Sequence, residues 1–247
     1  MKRGFRKAVI IFVDILGSKE RKEFNEWYNI MEIFNKSVNR EKELDATHPS
    51  TIYKREIHTF SDCAYIVYDY KEGVEEERKN MYALMCIACY NTEKMIYEFL
   101  KNGFIARGAI TYGEIYYDNK KNIWFGPGMN KAYSLEAKEA KVPRIIIDPK
   151  YSEKLMEYNE KEYRDNVIKR EINGNIIRKD AKDGRYYLNY LNSIYAEPDA
   201  NETVMKIFTL CQIERSKERA DETLNKSIKD KYDWLEDYLK DYFEINY

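Results

Sequence analysis

The sequence predicts an α+β fold in which an antiparallel-rich sheet is covered by helices. Six consecutive apolar residues at 8–13 lack helical spacing and are typical of a strand buried on both faces. Two runs rich in Ile, Val, Tyr and Thr, at 52–60 and 63–70, are separated only by Ser61 and Asp62, which predicts a tight hairpin. Helical periodicity precedes and follows this hairpin. The resulting order of strand, helix, strand, strand, helix and strand favours a core of the split βαβ kind.

The other elements of this core follow in chain order. Residues 19–44 carry apolar side chains on one side, which predicts an amphipathic helix laid on the sheet. Residues 75–100 predict a longer helix, ended by Asn102 and Gly103. Further strands are expected at 104–112, 114–117, 123–125 and 144–148, with a helix at 129–141. These elements define a first unit, residues 1–150.

Residues 151–247 are predicted to form a C-terminal α/β extension. Their composition is more charged and their periodicity weaker. The expected elements are a hairpin around Asn173-Gly174, with strands at 167–172 and 175–178, and helices at 202–220 and 228–242. Three roles stay open for this extension: capping the core, mediating dimerisation, or binding a partner.

Charge and apolar content restrict the classes of function. Lys and Arg number 42 against 43 Asp and Glu, a balance that gives no footprint for non-specific nucleic-acid binding. No stretch approaches the length of a membrane span, and residues 1–7 lead directly into a strand instead of a signal-peptide core. We therefore expect a soluble cytoplasmic protein with neither nucleic acid nor membrane as partner. The four cysteines are expected to be reduced, with Cys86 and Cys89 on a core helix face.

One carboxylate, Asp14, ends the first apolar run and requires a positive partner. A buried, unpaired carboxylate costs several kcal/mol, roughly the effective desolvation penalty of an ion. The partner is either a cation of the protein or a divalent metal ion. Asp62, in the neighbouring hairpin, would place a second carboxylate at the same rim of the sheet, and such a pair suits Mg²⁺ or Mn²⁺ with a phosphate-bearing substrate. The alternative for Asp62 is a turn residue that bonds only its own backbone.

Five segments occur in an order that indicates a family: FVDILGS, TFSDCAYIV, ARGAITYGEI, WFGPGMNKAYSLE and PRIIID. Together they resemble the class III nucleotidyl cyclases, and more closely the pyrimidine cyclases of the bacterial Pycsar antiphage system. The resemblance covers about residues 7–148 and extends weakly to the region of Trp234 and Leu235. It implies a ferredoxin-like core, two Mg²⁺ or Mn²⁺ ions per site, and a homodimer with active sites at the subunit interface. It also implies cyclisation of a nucleoside triphosphate with release of pyrophosphate, and a cyclic product that acts on a separate effector.

The family's functional residues map onto particular positions of this chain. The metal-binding aspartates correspond to Asp14 and Asp62, and the ribose-orienting Asn corresponds to Asn130. The amides that hold the triphosphate correspond to Ile15, Leu16, Gly17 and Ser18. Ser134 replaces the Arg that stabilises the transition state. Either another cation supplies that charge, with Arg107, Lys131 and Arg144 as candidates, or the activity is weakened. For Arg107, an ion pair with a core carboxylate and a triphosphate contact both stay open.

The base-reading positions also depart from the purine pattern. His58 and Ile123 occupy the places where adenylyl cyclases commonly have Lys and Asp. Because a purine amino group would be unpaired against Ile, the departure disfavours ATP and leaves UTP, or else CTP, as the expected substrate. The predicted products are cUMP or cCMP with pyrophosphate. Two alternatives are a polymerase-like domain that joins nucleotides between molecules and a catalytically silent nucleotide-binding module.

Overall fold

One eight-stranded sheet forms the centre of the computed structural model, which describes residues 4–164, 174–192, 194–217 and 221–246. The strands are β1 (Arg6–Ile15), β2 (Tyr53–Phe60), β3 (Cys63–Tyr70), β4 (Ala106–Asp118), β5 (Ile123–Phe125), β6 (Ile145–Ile147), β7 (Ile177–Lys179) and β8 (Tyr186–Leu188). They lie in the order β2-β3-β1-β4-β6-β8-β7, and β5 pairs with β4. The segment β2-β3-β1-β4 is antiparallel throughout and has the strand order of the split βαβ core. The predicted α+β class is confirmed.

Helices account for most of the remaining described chain. They are α1 (Phe24–Asn35), α2 (Glu41–Thr47), α3 (Met81–Lys101), α4 (Pro127–Glu139), α5 (Pro149–Arg164), α6 (Ala200–Ser216) and α7 (Glu222–Asn246). The helix predicted over 19–44 begins only at Phe24, and a π-helical turn, Lys36–Arg40, joins α1 to α2. The two strands predicted at 104–112 and 114–117 are one continuous β4, because Gly113 stays in the ladder opposite Ala8 of β1.

The side chains of β1 alternate between two cores. Val9, Ile11, Val13 and Ile15 pack with α1 and α3 in the main core, whereas Ala8, Ile10 and Phe12 belong to a smaller cluster on the opposite face. Because strand residues alternate with a period of two, Asp14 lies on the same face as Phe12. The α4 residues Met129 and Ala132 belong to this smaller cluster. Asp14 is therefore on the face of the sheet that α4 covers.

Close backbone approach holds α4 against this face. A Cβ atom at Gly128 would lie 2.2 Å from Ile10 Cδ1, and one at Gly113 would lie 3.0 Å from the Gly128 Cα. A side chain at either position would require its neighbours, Ile10 or the backbone of α4, to shift. The two glycines thus position the helix that carries Asn130 and Glu136.

The C-terminal extension joins the same sheet. Strand β8 pairs with β6 through Ile146 and Tyr187, and β7 pairs with β8. Helix α7 buries the aromatic stripe predicted for it, including Trp234, Tyr238 and Tyr242. The strand predicted at 167–172 lies entirely outside the described residues, and α5 was not predicted. Within the described ranges, no helix has both the length and the apolar content needed to span a bilayer.

Candidate active site

The ends of β1, β3 and β4 meet at one cavity. In the sheet register, Asp14 lies opposite Cys63 of β3 and opposite Arg107 of β4, and Asp62 occupies the two-residue turn that joins β2 to β3. The cavity has a volume of 340 Å³. Its walls are formed by Asp14, Ile15, Leu16, Gly17, Ser18, Glu20, Asp62, Ile105, Arg107, Pro143, Glu214, Leu224, Ile228, Lys231 and Tyr232. The hairpin predicted around Asp62 is confirmed, and both aspartates line this one cavity.

Arg107 is the protein's own partner for Asp14. Its Nε and Nη2 atoms donate to Asp14 Oδ2 at 3.2 and 3.3 Å. Burial nevertheless raises the pKa of Asp14; the Arg107 charge opposes this rise, and the nearby charge of Asp62 adds to it. The ion pair left open by the sequence is therefore formed, and it compensates the desolvation of Asp14 only in part.

Glu136 on α4 is a second partner for the same guanidinium. Its Oε1 lies 2.7 Å from Arg107 Nε, and its side chain is only 3% exposed. Burial raises the pKa of Glu136, with the Arg107 charge acting in the opposite direction and Asp14 adding to the rise. Arg107 thus lies between two carboxylates and can keep one ion pair if the other carboxylate is engaged elsewhere.

Asp62 is held by the loop that follows β1. Ser18 Oγ donates a short hydrogen bond to Asp62 Oδ2, and the Ile15 N–H donates to the Asp62 carbonyl oxygen at 3.0 Å. The Leu16 N–H donates to the Ile105 carbonyl at 2.8 Å. Two of the four amides expected to hold a triphosphate are therefore already used by the protein. A triphosphate contact from Ile15 or Leu16 would require these backbone hydrogen bonds to break.

Gly17 gives the loop its shape. Its φ of 74° lies in the left-handed region, which favours glycine, and it precedes a single 3₁₀ turn, Ser18–Glu20. Neither the Gly17 nor the Ser18 N–H has an acceptor among the described residues. Among the four predicted amide donors, these two are the ones without an acceptor in the described part of the chain.

The donor set of the cavity suits a hard divalent cation. Asp14 Oδ1 and Asp62 Oδ1 accept no hydrogen bond from any described residue, so each carboxylate offers one oxygen. Mg²⁺ is usually held by one or two carboxylates together with substrate phosphates and waters. Among the described residues, no group of three or more His, Cys, Asp and Glu side chains is arranged to hold a metal ion by itself. The residues present fit an ion that arrives with a phosphate ligand.

The charges on the cavity wall also favour binding of a cation. Four acidic side chains line the cavity, Asp14, Glu20, Asp62 and Glu214. Two basic side chains line it as well, Arg107 and Lys231. With every group ionised, the wall carries a formal charge of about −2. Such a wall attracts cations and repels a free triphosphate, so a triphosphate would need accompanying cations to bind.

Asn130 and Lys131 lie outside the cavity wall. Both are exposed on α4, and Lys131 Nζ is 3.9 Å from Asp148 Oδ1. Within one chain, the structure therefore does not bring these two side chains into the cavity that holds Asp14 and Asp62.

Arg144 has a structural partner set. It is buried and forms short ion pairs with Asp180 and Asp183 in the turn between β7 and β8. Trp234 of α7 donates to Asp180 Oδ2 at 2.8 Å. These contacts tie β6 to the C-terminal extension, and Arg144 does not line the cavity that contains Asp14 and Asp62.

His58 and Ile123 also lie away from the cavity wall. The His58 ring stacks on Trp124 of β5, with ring centroids 5.4 Å apart and an interplanar angle of 22°. Ile123 is exposed at the end of the same short strand. Strand β5 thus brings both positions to the hairpin arm formed by β4 and β5, and neither lines the cavity of its own chain.

One wall of the cavity comes from the C-terminal helices and was not predicted. Leu224, Ile228, Lys231 and Tyr232 project from α7, and Glu214 projects from α6. The α7 residues recur at intervals of four, three and one, which is one face of a helix. That periodicity was visible in the sequence, but nothing in it indicated which partner this face covers.

Comparison with known proteins gives structural likenesses only. No protein-family model matches the sequence, and no curated protein matches it. The monomeric guanylyl cyclase domain of the RhoGC fusion protein from the aquatic fungus Blastocladiella emersonii is similar with 16% identity and a TM-score of 0.44, over 75% of this chain and 95% of that chain. An adenylate/guanylate cyclase/hydrolase from Silicibacter pomeroyi is similar with 14% identity and a TM-score of 0.41, over 75% and 95% of the two chains. The guanylyl cyclase Cya2 is similar with 15% identity and a TM-score of 0.39, over 64% and 80%.

These structural neighbours are adenylyl and guanylyl cyclases. Because each of these TM-scores is below 0.5, we draw neither fold nor function from them. The fold assignment rests on the strand order and register of this protein.

Proposed function

We propose that this protein is a metal-dependent nucleotidyl cyclase that converts a nucleoside triphosphate into a 3′,5′-cyclic monophosphate and pyrophosphate. The observation that carries the proposal is the convergence of Asp14 and Asp62 in one cavity, each with a carboxylate oxygen that no described residue engages. Asp14 and Asp62 would hold Mg²⁺ or Mn²⁺. When bound, such ions supply activation of the ribose 3′-hydroxyl and neutralisation of the leaving pyrophosphate.

The chain's own residues position these carboxylates. Ser18 fixes the orientation of Asp62 through its short hydrogen bond, and Arg107 fixes Asp14. Glu136 would keep Arg107 paired if a ligand at Asp14 Oδ1 weakened the contact between Arg107 and Asp14 Oδ2. The amides of Gly17 and Ser18, two residues that line the cavity, would donate to phosphate oxygens.

A complete site would need a second subunit. Asn130 is exposed on α4 and outside the cavity, so it would meet substrate only across a subunit interface. Two large apolar side chains are exposed: Tyr133, on the same helix as Asn130, at 54%, and Phe60, next to the turn that holds Asp62, at 70%. Burying such side chains favours association. We therefore infer a homodimer in which Asn130 and Lys131 of one subunit complete the site of the other.

The substrate base is proposed to be a pyrimidine. His58 is stacked on Trp124, and Ile123 has no hydrogen-bonding group, so these positions lack the Lys and Asp that read a purine. UTP is favoured and CTP is the alternative. The cyclic product would then be a messenger for a separate effector, in keeping with the resemblance to antiphage pyrimidine cyclases.

The test is incubation of the purified protein with Mn²⁺ and each of the four ribonucleoside triphosphates, with products identified by mass spectrometry. We expect a cyclic monophosphate and pyrophosphate from UTP, or from CTP. Oligonucleotides would indicate the polymerase-like alternative, and unchanged substrate in all four reactions would reject an enzymatic role in favour of a silent nucleotide-binding module.

Matched variants test the two carboxylates. Asp14→Asn and Asp62→Asn should each reduce product formation by more than about 100-fold, since loss of even an outer-shell partner of a metal costs roughly 10- to 100-fold. Asp237→Asn removes a carboxylate from an exposed surface pair on α7 and should retain full activity. Loss of activity in Asp62→Asn with full activity in Asp14→Asn would contradict a site with two metal-binding aspartates.

A further inference from the structure

Lys231 is a charged residue of the cavity wall whose charge has no close partner. It projects from α7 into the cavity that contains Asp14 and Asp62, and it is half-buried. No carboxylate of the described residues lies within ion-pair distance of its ammonium group, and no described acceptor takes a hydrogen bond from it. Removing a cation from water is costly unless an anion compensates it. An unpaired, half-buried lysine at a cavity wall therefore provides a place for a negatively charged ligand group.

A second cation faces the same space. Burial, followed by the positive charge of Arg107, lowers the pKa of Lys231, while Asp14 and Glu136 oppose this effect. An anionic group in the cavity near both cations would be stabilised by each of them. Arg107 is already engaged with two carboxylates, so Lys231 is the cavity cation with unused hydrogen-bonding capacity.

Helix α7 holds Lys231 in a fixed place. The next turns of the helix bury Trp234, Leu235, Tyr238 and Leu239 in the main core. Trp234 is further held by its hydrogen bond to Asp180, and Tyr238 accepts from the Leu191 N–H at 3.1 Å. The backbone from which Lys231 extends is therefore fixed before a ligand binds, and only the side-chain rotamers remain to be ordered.

We propose that Lys231 donates to a phosphate oxygen of the bound nucleotide, which makes the C-terminal extension part of the active site. This inference rests on the proposed function. A lysine ammonium is a compact point charge suited to phosphate. It also supplies positive charge to a site in which Ser134 replaces a transition-state Arg. The alternative is that Lys231 only occupies the space of a divalent cation when the cavity holds no ligand.

Binding of pyrophosphate with Mn²⁺, measured by calorimetry, tests the proposal without turnover. Lys231→Met should weaken pyrophosphate binding by about 10- to 100-fold, the value of one hydrogen bond to a charged group. Lys231→Arg should restore part of the affinity. Lys226→Met removes the same charge from an exposed position of the same helix and should bind as the parent protein does. Thermal unfolding of each variant establishes that it is folded.

Two results would overturn the proposal. One is pyrophosphate affinity in Lys231→Met equal to that of the parent protein. The other is tighter Mn²⁺ binding in Lys231→Met with no change in pyrophosphate affinity, which would identify Lys231 as a substitute for the metal ion.

The same variants separate this inference from the proposed function. If the parent protein cyclises no triphosphate but binds pyrophosphate in a Lys231-dependent manner, the cyclase activity is rejected and the phosphate contact stands. If the parent protein is an active cyclase and Lys231→Met keeps its KM and kcat, the activity stands and the phosphate contact is rejected.

Discussion

Replacing Arg107 by Met isolates the charge that lies between Asp14 and Glu136. The side chain keeps a similar length but loses its guanidinium. Two partly or fully buried carboxylates then lose their shared partner: Asp14, 22% exposed, and Glu136, 3% exposed. Removing one member of a buried ion pair usually costs about 3–5 kcal/mol. Because Arg107 is itself 23% exposed, we expect a loss near 3 kcal/mol, the lower end of that range.

This loss is large enough to measure by urea and thermal unfolding. For a chain of about 150–250 residues, 1 kcal/mol corresponds to roughly 2–4 °C in Tm, so Tm should fall by about 6–12 °C. The loss should be greater at pH 8 than at pH 5. Removal of Arg107 raises the folded-state pKa values of Asp14 and Glu136 further, and a raised carboxylate pKa costs stability as the pH rises through it.

A double-mutant cycle then assigns the loss to the ion pairs. Arg107→Met combined with Glu136→Gln should be less destabilised than the sum of the two single variants, because the second change removes one of the unpaired charges. Additive losses, or a loss below about 1 kcal/mol in Arg107→Met, would show that the guanidinium does not compensate these carboxylates.

Three further predictions concern neighbouring positions. Glu136→Gln should become more stable relative to the parent protein as the pH rises above the usual pKa of a Glu. Burial raises the pKa of Glu136, so its ionisation destabilises the folded parent protein and has no counterpart in the variant. A Tm difference that does not change with pH would contradict this prediction. Gly108→Ala should lower the free energy of unfolding, measured in urea, by more than about 3 kcal/mol, which exceeds the roughly 1–3 kcal/mol that overpacking usually costs. The reason is that its Cβ would lie 2.1 Å from the Phe12 carbonyl oxygen. A stability close to that of the parent protein would refute the prediction. Arg144→Met should lower the free energy of unfolding by about 3–5 kcal/mol, because Asp180 stays buried without the arginine that pairs with it. The folded variant should bind nucleotide as the parent protein does. Weakened nucleotide affinity with an unchanged Tm would instead indicate that Arg144 contacts substrate.

The sequence was sufficient for the core because its signals there are local. Alternation and turn residues predicted the hairpin at Asp62, and the apolar run at 8–13 predicted the buried β1. With those strands adjacent, Asp14 and Asp62 were expected at one rim, and the cavity contains both. The burial of Cys86 and Cys89 on α3 is also confirmed.

The rest depends on contacts between residues distant in sequence. Arg144 was a candidate because Ser134 replaces the transition-state Arg, and its buried partner Asp180 could not be recognised from a turn distant in sequence. The wall contributed by α7 could not be located for the same reason: the helical face of Ile228 and Lys231 is apparent, but its docking position is set by tertiary packing. Helix α5 was missed because charged residues make up much of it.

The sequence left open whether a cation of the protein or a metal ion neutralises Asp14, and the geometry is compatible with both. Of the two carboxylate oxygens of Asp14, Arg107 bonds only Oδ2. Its second partner is Glu136, whose Oε1 lies 2.7 Å from Arg107 Nε. When a cation approaches the open Oδ1 of Asp14, Arg107 therefore does not lose its only ion pair. A divalent ion at that oxygen would also offset the repulsion between Asp14 and Asp62 that adds to the raised pKa of Asp14. The ion pair with Arg107 is thus compatible with metal binding, because Glu136 retains the guanidinium beside the site.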